Sequence, residues 1–253
     1  MTISIITVTC NSAATICNTF DSILQQTYYN IEYIVVDGAS TDGTVDIIKE
    51  YEPLFNGRMK WISEKDNGLY DAMNKGIKLA SGDVIGMLNS DDFYVDNEVI
   101  EDIVNIFMTH NTDSIHGNLL FVKENDTSKV VRRWIGSSYR DNGFKKGWHP
   151  AHPTFYVKRE IYEKLGGFDN SFEVSSDFEL MLRFIEKNKI STYYLDRYFI
   201  KMRMGGESTK SLKKIITGNI NVLKAFKKNK IQISPLYPFY RIIPKIAKLL
   251  IKK

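Results

Sequence analysis

The sequence predicts an α/β fold in which a mostly parallel sheet is flanked by helices. Two observations support this class. Over the first hundred residues, short apolar runs alternate with segments whose apolar residues recur at helical spacing. The apolar runs are also continuous, as in strands that are buried on both faces. Strands that alternate with helices form parallel sheets through right-handed crossovers.

The strands of this first half are predicted where β-branched and apolar residues run without interruption: Ile3–Thr9, Tyr33–Val36, Met59–Ile62 and Val84–Leu88. Between them, apolar residues three or four positions apart predict helices. We expect these helices to begin at a cap on Ser12, at a cap on Thr41 or Asp42, and after the turn Asn67-Gly68.

The middle of the chain is less regular. Two longer strands are predicted around a turn at Glu124–Thr127, and a loop is predicted at Ser137–Pro153. The predicted elements of this half are the strands Ser114–Val122, Lys129–Ile135, Thr192–Leu195 and Phe199–Met204 and the helices Lys158–Leu165 and Ser176–Asn188.

Charge is distributed unevenly along the 253 residues, which carry 34 basic and 30 acidic side chains. From Lys210 to Lys253 there are twelve basic residues and no acidic one, so residues 1–209 carry a net charge of −8. Such asymmetry indicates that one end of the chain meets an anionic surface. We therefore predict a globular domain over 1–208 and a basic helical tail over 209–253.

The tail has the pattern of amphipathic helices interrupted by prolines. Its first helix has apolar residues on one predicted face: Leu212, Ile215, Ile216, Ile220, Leu223 and Phe226. At Pro244–Lys253 an apolar stripe faces away from basic residues, which is typical of a helix that rests on an anionic membrane. Packing on its own domain or on a second subunit is the alternative. We expect no nucleic-acid partner.

The composition is that of an ordinary globular protein, with 43% hydrophobic and 25% charged residues. Cys10 and Cys17 provide neither a disulfide framework nor a zinc site. The segment MTISIITVTCNS lacks the basic region of a signal peptide, and no apolar run reaches the ~18–20 residues of a membrane span. We expect a cytoplasmic protein that is peripheral on the inner face of the membrane.

Acidic residues follow three of the predicted strands. Asp37 ends the second strand, Asp66 follows the third, and Asp91 and Asp92 follow the fourth. Because ligands bind beyond the carboxyl ends of parallel strands, we expect these acids to converge. Carboxylates suit Mg²⁺ or Mn²⁺ bound together with substrate phosphates. The glycine-rich loops of P-loop NTPases and dinucleotide dehydrogenases do not occur, which favours a nucleotide diphosphate held through a metal.

Five stretches of the sequence resemble the inverting family 2 glycosyltransferases, which have the GT-A fold. They are ITVTCNS at 6–12, VVDGASTDGT at 35–44, SEKDNGLYDAMNKGI at 63–77, ASGDVIGMLNSDD at 80–92 and GGFDNSFEVSSDFELMLR at 166–183. Their order and spacing agree with the family. The resemblance is strongest to bacterial members that build capsule, exopolysaccharide or O-antigen repeat units. It implies a Rossmann-like GT-A domain over 1–208 with a C-terminal helical tail.

The resemblance implies a nucleotide-sugar pocket formed by Thr9, Asn11, Asp37, Asp66 and Asp91. In it, Asp37 matches the carboxylate that accepts a hydrogen bond from the base, and Asp91 matches the one that contacts the ribose. Asp92 matches the ligand of the Mn²⁺ or Mg²⁺ ion that bridges the diphosphate. Asn89 stands where many relatives have the first Asp of an Asp-x-Asp motif, so the number of anionic ligands is open.

The resemblance also implies a general base at Asp177, which deprotonates the acceptor hydroxyl during an in-line displacement. Ser176 precedes it, where relatives commonly have Glu. The residues expected near the acceptor, or supporting the site from behind, are His152, Trp148, Asp71 and Asn74.

These assignments predict a metal-dependent inverting glycosyltransferase. It would move a sugar from a nucleotide-sugar to a hydroxyl of a glycan or polyprenyl-linked acceptor in bacterial surface polysaccharide biosynthesis. A sugar-phosphate nucleotidyltransferase is the enzymatic alternative, disfavoured because TCNSAATICNT is neither glycine-rich nor basic. The second alternative is a catalytically weak membrane-bound scaffold that binds nucleotide-sugars. The base of the donor, UDP, GDP or dTDP, is open.

Overall fold

The computed structural model describes residues 1–205, 212–234 and 237. Over these residues nine strands form one mixed sheet with helices on both of its faces, which confirms the predicted α/β class. The strands are β1 (Ile3–Thr9), β2 (Ile31–Asp37), β3 (Met59–Ser63), β4 (Val84–Met87), β5 (Phe93–Tyr94), β6 (Ser114–Lys123), β7 (Asp126–Trp134), β8 (Tyr156–Lys158) and β9 (Thr192–Arg203).

The helices are α1 (Ile16–Leu24), α2 (Thr44–Tyr51), α3 (Leu69–Leu79), α4 (Val99–Thr109), α5 (Arg159–Leu165), α6 (Ser176–Met181) and α7 (Leu212–Lys228). A π-helical turn, Leu182–Lys187, continues α6. Short 3₁₀ helices lie at Glu52–Phe55, Phe144–Lys146 and His152–Thr154.

The parallel part of the sheet has the order β3-β2-β1-β4. All residues of β1 and β2 are buried, because helices cover both faces of these strands. The register places Thr9 beside Asp37, and Asp37 beside Ser63. The carboxyl ends of three strands therefore lie side by side at one edge.

The remainder of the sheet is mostly antiparallel. The order continues from β4 through β8, β6 and β9 to β5, and β7 forms a hairpin with β6. Strand β8 is antiparallel to both of its neighbours, and β5 is antiparallel to β9, whereas β6 and β9 are parallel. The segment between β8 and β9 contains α5 and α6 and contacts α3 of the parallel half.

The predicted helix caps were wrong for α1 and α2. The cap of α1 is Thr15, one turn after Ser12, whose hydroxyl instead contacts the hydroxyl of Ser90 at 2.9 Å. The cap of α2 is Gly43 in the left-handed region, with φ 96°, and the Asp42 carboxylate accepts a bond from the first amide of α2. The side chain of Ser12 is thus bound by a distant residue, whereas that of Asp42 bonds the first residue of its own helix.

Several elements were missed or divided differently. The segment of β5 and α4 and the short strand β8 were not predicted. The two predicted strands at Thr192–Leu195 and Phe199–Met204 form the single strand β9, which shows register shifts against β6. The predicted helix Ser176–Asn188 changes from α to π geometry after Met181. The register of β9 against β6 shifts between the pairs His116–Tyr194 and Asn118–Tyr198, at the polar stretch that separated the two predicted strands.

Helix α7 belongs to the main core. Val222, Ala225 and Phe226 are fully buried in it. Of the apolar face expected from sequence, Ile216 and Ile220 are exposed. The buried side instead includes two hydrogen-bonded asparagines, Asn221 in α7 and Asn229 just after it. The predicted helix Pro244–Lys253 lies outside the described residues. Among the residues that are described, no helix has both the length and the apolarity to cross a membrane.

Candidate active site

Asp37 lies at the centre of the aligned strand ends. Its carboxylate is fully buried and accepts hydrogen bonds from the Ser63 hydroxyl at 2.6 Å and from the backbone amide of Ser40 at 3.0 Å. The Ser40 hydroxyl also donates to it. The orientation of this predicted base-binding carboxylate is thus set by strands β2 and β3 and the turn that follows β2. Sequence reasoning did not identify the two serines.

The loop after β1 crosses in front of Asp37. Asn11 adopts a left-handed conformation, with φ 52°. Its backbone amide donates to the Ser40 hydroxyl at 2.7 Å, and its side-chain oxygen accepts from the amide of Thr41 at 2.8 Å. The buried hydroxyl of Thr9 has no hydrogen-bond partner among the described residues. Thr9 and Asn11 therefore lie at the same edge as Asp37, and their sharing a nucleotide-sugar pocket stays a prediction.

Asp66 approaches the same turn from the β3–α3 loop. A Cβ atom built on Gly38 would lie 3.0 Å from Oδ2 of Asp66, so the absence of a side chain at Gly38 lets Asp66 lie close to this turn. Lys75 on α3 bonds Asp66 at 2.6 Å and Glu64 at 2.8 Å, and lies 3.9 Å from Asp71. The hydrogen bond to Asp66 is the main cause of a raised pKa of Lys75. Lys75 was missed, although it lies within the quoted 63–77 stretch.

Asp92 occupies a buried position in the turn after β4. Its Oδ2 accepts a hydrogen bond from the Asn89 side chain at 3.1 Å, and its Oδ1 is buried with no partner among the described residues. Burial, and next the charge of Asp91, raise the pKa of Asp92 well above its usual range. A buried carboxylate oxygen without a partner is costly, so this atom fits a cation ligand.

A cation here would depend on few protein ligands. Within 1–205, 212–234 and 237, no three His, Cys, Asp or Glu side chains are arranged to hold a metal. Mg²⁺ needs only one or two carboxylates when phosphates supply the rest. Asn89 orients Asp92, and the buried Arg203 guanidinium donates to the carbonyl of Asp91. The residues present therefore fit a metal that binds together with a diphosphate.

Asp177 begins the second part of the site, at the first turn of α6. Ser175 before the helix has a left-handed backbone, with φ 69°. The Ser176 hydroxyl donates to the carbonyl of Asp169 at 3.0 Å and accepts from its amide at 2.9 Å. Ser176, at the position where relatives commonly have Glu, thus closes the loop that presents Asp177.

Two side chains from distant elements face Asp177. The Tyr70 hydroxyl donates to its Oδ1 at 3.3 Å. Burial, and then the charge of Asp177, raise the pKa of Tyr70, so the hydroxyl keeps its proton. Burial lowers the pKa of His152, while the negative charge of Asp177 acts in the opposite direction. The structure thus brings His152 to the candidate base, and Tyr70 is a residue that sequence reasoning missed.

Asn74 and Asp71 support the loop before α6. The Asn74 side chain bonds both the amide of Phe168, at 2.8 Å, and its carbonyl, at 2.9 Å. It also donates to the side chain of Asn170 at 3.0 Å, and Asn170 donates to Asp71 at 3.5 Å. These contacts join α3 to the Asp177 loop, and a supporting role of Asn74 and Asp71 in the site stays a prediction.

Trp148 makes its described contacts in an aromatic cluster. Its ring packs edge-on against His116 and Phe144 and at a tilt against Tyr139, with centroids 5.2–5.5 Å apart. Its indole N–H donates to the carbonyl and the hydroxyl of Ser137 at 3.1 Å. Packing accounts for these contacts, and a role of Trp148 at the acceptor stays a prediction.

The model of the family described as "Glycosyl transferase family 2" matches residues 4–166. A Mycobacterium tuberculosis protein named PGL/p-HBAD biosynthesis glycosyltransferase is 28% identical over 193 residues, which cover 76% of this chain and 73% of that protein.

Two solved structures share the fold. S. aureus TarS 1–349 in complex with UDP-GlcNAc superposes with a TM-score of 0.68 at 20% identity, over 83% of this chain and 61% of that one. The mannosyltransferase PcManGT of Pyrobaculum calidifontis, in complex with GDP-Man and Mn²⁺, superposes with a TM-score of 0.66 at 18% identity. The match covers 94% of this chain and 67% of that one. In a longer TarS structure, the match with this chain covers only 37% of the TarS chain. These likenesses extend to the sheet that carries the aligned carboxylates.

Proposed function

Because the chain belongs to glycosyl transferase family 2, we propose that it transfers one sugar, with inversion, from a nucleotide-sugar to an acceptor hydroxyl. The observation that carries this proposal is the presence of two differently built carboxylates, Asp92 and Asp177. Asp92, after β4, is buried with an oxygen free for a cation, and Asp177 accepts a hydrogen bond from Tyr70 in the first turn of α3. Donor binding and proton removal are different tasks, and each carboxylate suits one of them.

The donor would bind at the ends of the parallel strands. Asp37, Asp66, Thr9 and Asn11 line the edge where a base and ribose fit, and Asp91 follows the neighbouring strand. The TarS and PcManGT structures are described as complexes with UDP-GlcNAc and GDP-Man, and the shared sheet supports a nucleotide-sugar at the same edge.

The metal would be held by Asp92 through its free oxygen, with Asp91 beside it. A bound Mn²⁺ or Mg²⁺ would offset the negative charge that grows on the departing nucleoside diphosphate. Asn89 keeps Asp92 oriented, and Arg203 fixes the backbone of Asp91. The neutral Asn89 makes the site less anionic than two aspartates would, so we expect metal to bind chiefly together with the diphosphate.

The base would be Asp177. It takes the proton of the acceptor hydroxyl as that oxygen attacks the anomeric carbon, and the bond from this carbon to the diphosphate oxygen breaks with its electron pair going to the leaving group. Tyr70 orients the carboxylate, and His152 interacts electrostatically with it. One displacement of this kind inverts the anomeric configuration.

The acceptor we propose is a glycan or polyprenyl-linked hydroxyl in bacterial surface polysaccharide biosynthesis, reached from the cytoplasmic face of the membrane. The acid-free stretch from Lys210 to Lys253, with twelve basic residues, supports a position on anionic lipid.

A panel of nucleotide-sugars with and without Mn²⁺ tests this function. We expect one donor to raise the melting temperature only when metal is present, and to be hydrolysed or transferred. Asp92→Asn should lose this response, whereas Asn97→Asp, an exposed change outside the site, should keep it. Metal-dependent binding without any turnover would instead indicate the scaffold alternative. Absence of any response to all donors would contradict the proposal.

A further inference from the structure

Helix α7 has two faces with different partners. The inward face packs in the core through Val222, Ala225 and Phe226. The outward face exposes Ile216 to 60%, Ile220 to 59% and Leu223 to 40%. These three residues are spaced four and three positions apart, so they form one stripe along the helix. Such a stripe of large aliphatic side chains on a well-packed helix indicates a partner surface.

The inward face also holds the loop that carries the candidate base. Asn221 donates to the carbonyl of Val174 at 2.8 Å, and Lys224 donates to the carbonyl of Ser171 at 3.1 Å. Lys228 forms an ion pair with Asp169.

Asn229, just after α7, donates to the buried carboxylate of Glu179 at 2.9 Å. These contacts lie on both sides of Asp177 in the sequence. A partner surface that binds the outward face of α7 therefore has a defined position relative to Asp177.

The basic residues beside the stripe indicate which kind of surface it binds. Lys227 is exposed and continues the same side of the helix beyond Leu223, and the exposed Lys230 follows just after the helix end. No acidic residue occurs from Lys210 onward, and twelve basic ones do. Aliphatic side chains bordered by lysines match an anionic lipid surface, where the stripe enters the acyl boundary and the ammonium groups meet headgroup phosphates. A second copy would bring like charges together, which disfavours self-association.

We propose that the outward face of α7, formed by Ile216, Ile220 and Leu223, is the surface through which this chain docks on an anionic bilayer. The docked helix holds the Asp177 loop at the level of the headgroups, where a hydroxyl of a lipid-borne acceptor can reach it. The second statement rests on the proposed transferase function, whereas the docking surface does not.

Vesicle co-sedimentation of the full chain tests the surface. The test variant combines Ile216→Gln, Ile220→Gln and Leu223→Gln. The matched control combines Met108→Gln, Val131→Gln and Ile135→Gln, which are exposed to a similar or greater extent on other elements. On vesicles of phosphatidylglycerol and phosphatidylcholine, we expect the stripe variant to partition at least about tenfold less than the wild type and the control to partition unchanged. Vesicles of phosphatidylcholine alone should bind the wild type weakly.

Three results would overturn the docking surface. One is unchanged partitioning of the stripe variant at an unchanged melting temperature. Another is equal binding to both kinds of vesicle. The third is a wild-type dimer, seen by light scattering, that the stripe substitutions dissociate. A chain that docks on vesicles but transfers no sugar from any donor would refute the proposed function and leave the docking surface standing.

Discussion

The hydroxyl of Tyr70 donates a hydrogen bond of 3.3 Å to the carboxylate of Asp177, across 107 residues of sequence. Tyr70 lies in the first turn of α3, the helix that also carries Lys75, Asp71 and Asn74. Lys75 bonds Asp66 on the donor side, and Asn74 bonds the loop on the base side. A single helix therefore positions side chains of both halves of the site.

Asp177→Asn should abolish transfer and leave nucleotide binding intact. The amide cannot accept the acceptor's proton, and general-base catalysis contributes about 10²–10⁴-fold. Single-turnover transfer and nucleoside diphosphate titration would measure the two effects. Glu173→Gln, an exposed change on the same loop, is the control. Full transfer by the Asp177 variant would refute its assignment as the base.

Tyr70→Phe should lower kcat about tenfold, since a hydrogen bond to a charged group contributes about 1.5 kcal/mol or more. The ring keeps its stacking on Phe168, with centroids 5.5 Å apart, so the fold should persist. Nucleotide affinity should not change. If kcat stayed at the wild-type value while the pH–rate profile was unaltered, Tyr70 would have only a packing role.

Asp92→Asn should remove the Mn²⁺ dependence of nucleoside diphosphate binding. Without metal, the variant should be at least as stable as the wild type, because burial makes the charged form of Asp92 costly. Calorimetric titration with and without EDTA, together with melting temperatures, measures both. Metal-dependent binding that survives the substitution would place the cation elsewhere.

His116 should make stability fall on mild acidification. Its ring is fully buried, with Nε2 on the carbonyl of Ser137 at 3.1 Å and Nδ1 at 3.0 Å from the Thr192 hydroxyl. Burial lowers its pKa to about 4, so the folded chain resists a proton that the unfolded chain binds near pH 6.5. Stability is therefore present above pH 6.5 and is lost as the pH falls toward 4, by up to about 3 kcal/mol.

Urea midpoints measured between pH 7 and 4.5 test this titration. His116→Gln should flatten the slope in that window, while the exposed His110→Gln should preserve it. An equal slope in all three proteins would show that another group controls the acid response.

Trp148 is expected to matter for stability more than for the acceptor. Trp148→Ala should cost about 3 kcal/mol of unfolding free energy, because it removes the ring that His116, Tyr139 and Phe144 pack against. Trp148→Phe should recover part of this loss. A stable Trp148→Ala variant with a greatly raised KM for the acceptor would instead support sugar stacking.

The strand ends were predictable because their causes are local. Ile3–Thr9 has the same bounds in sequence and structure, and Asp37 ends β2 as expected. A buried parallel strand needs an apolar run, and parallel strands present their carboxyl ends at one edge. The acids of the donor half could therefore be placed before any coordinates were known.

The face of α7 was not predictable in the same way. Its pattern of Ile216, Ile220 and Leu223 indicates a buried stripe, yet the buried side includes Asn221 and Asn229. Those amides are buried because Val174 and Glu179 supply partners for them. Hydropathy counts an asparagine as polar whether or not a distant partner satisfies it.

By itself, the sequence determined the α/β class, the carboxylates at the strand ends and the likeness to a transferase family, since these depend on local periodicity and short motifs. Only the tertiary structure decided that Tyr70 faces Asp177 and that Lys75 joins the acids of the β3–α3 loop. It also decided that α7 contacts the loop that carries Asp177. Such pairs join segments far apart in the chain. Their geometry depends on how whole elements pack, which no local pattern contains.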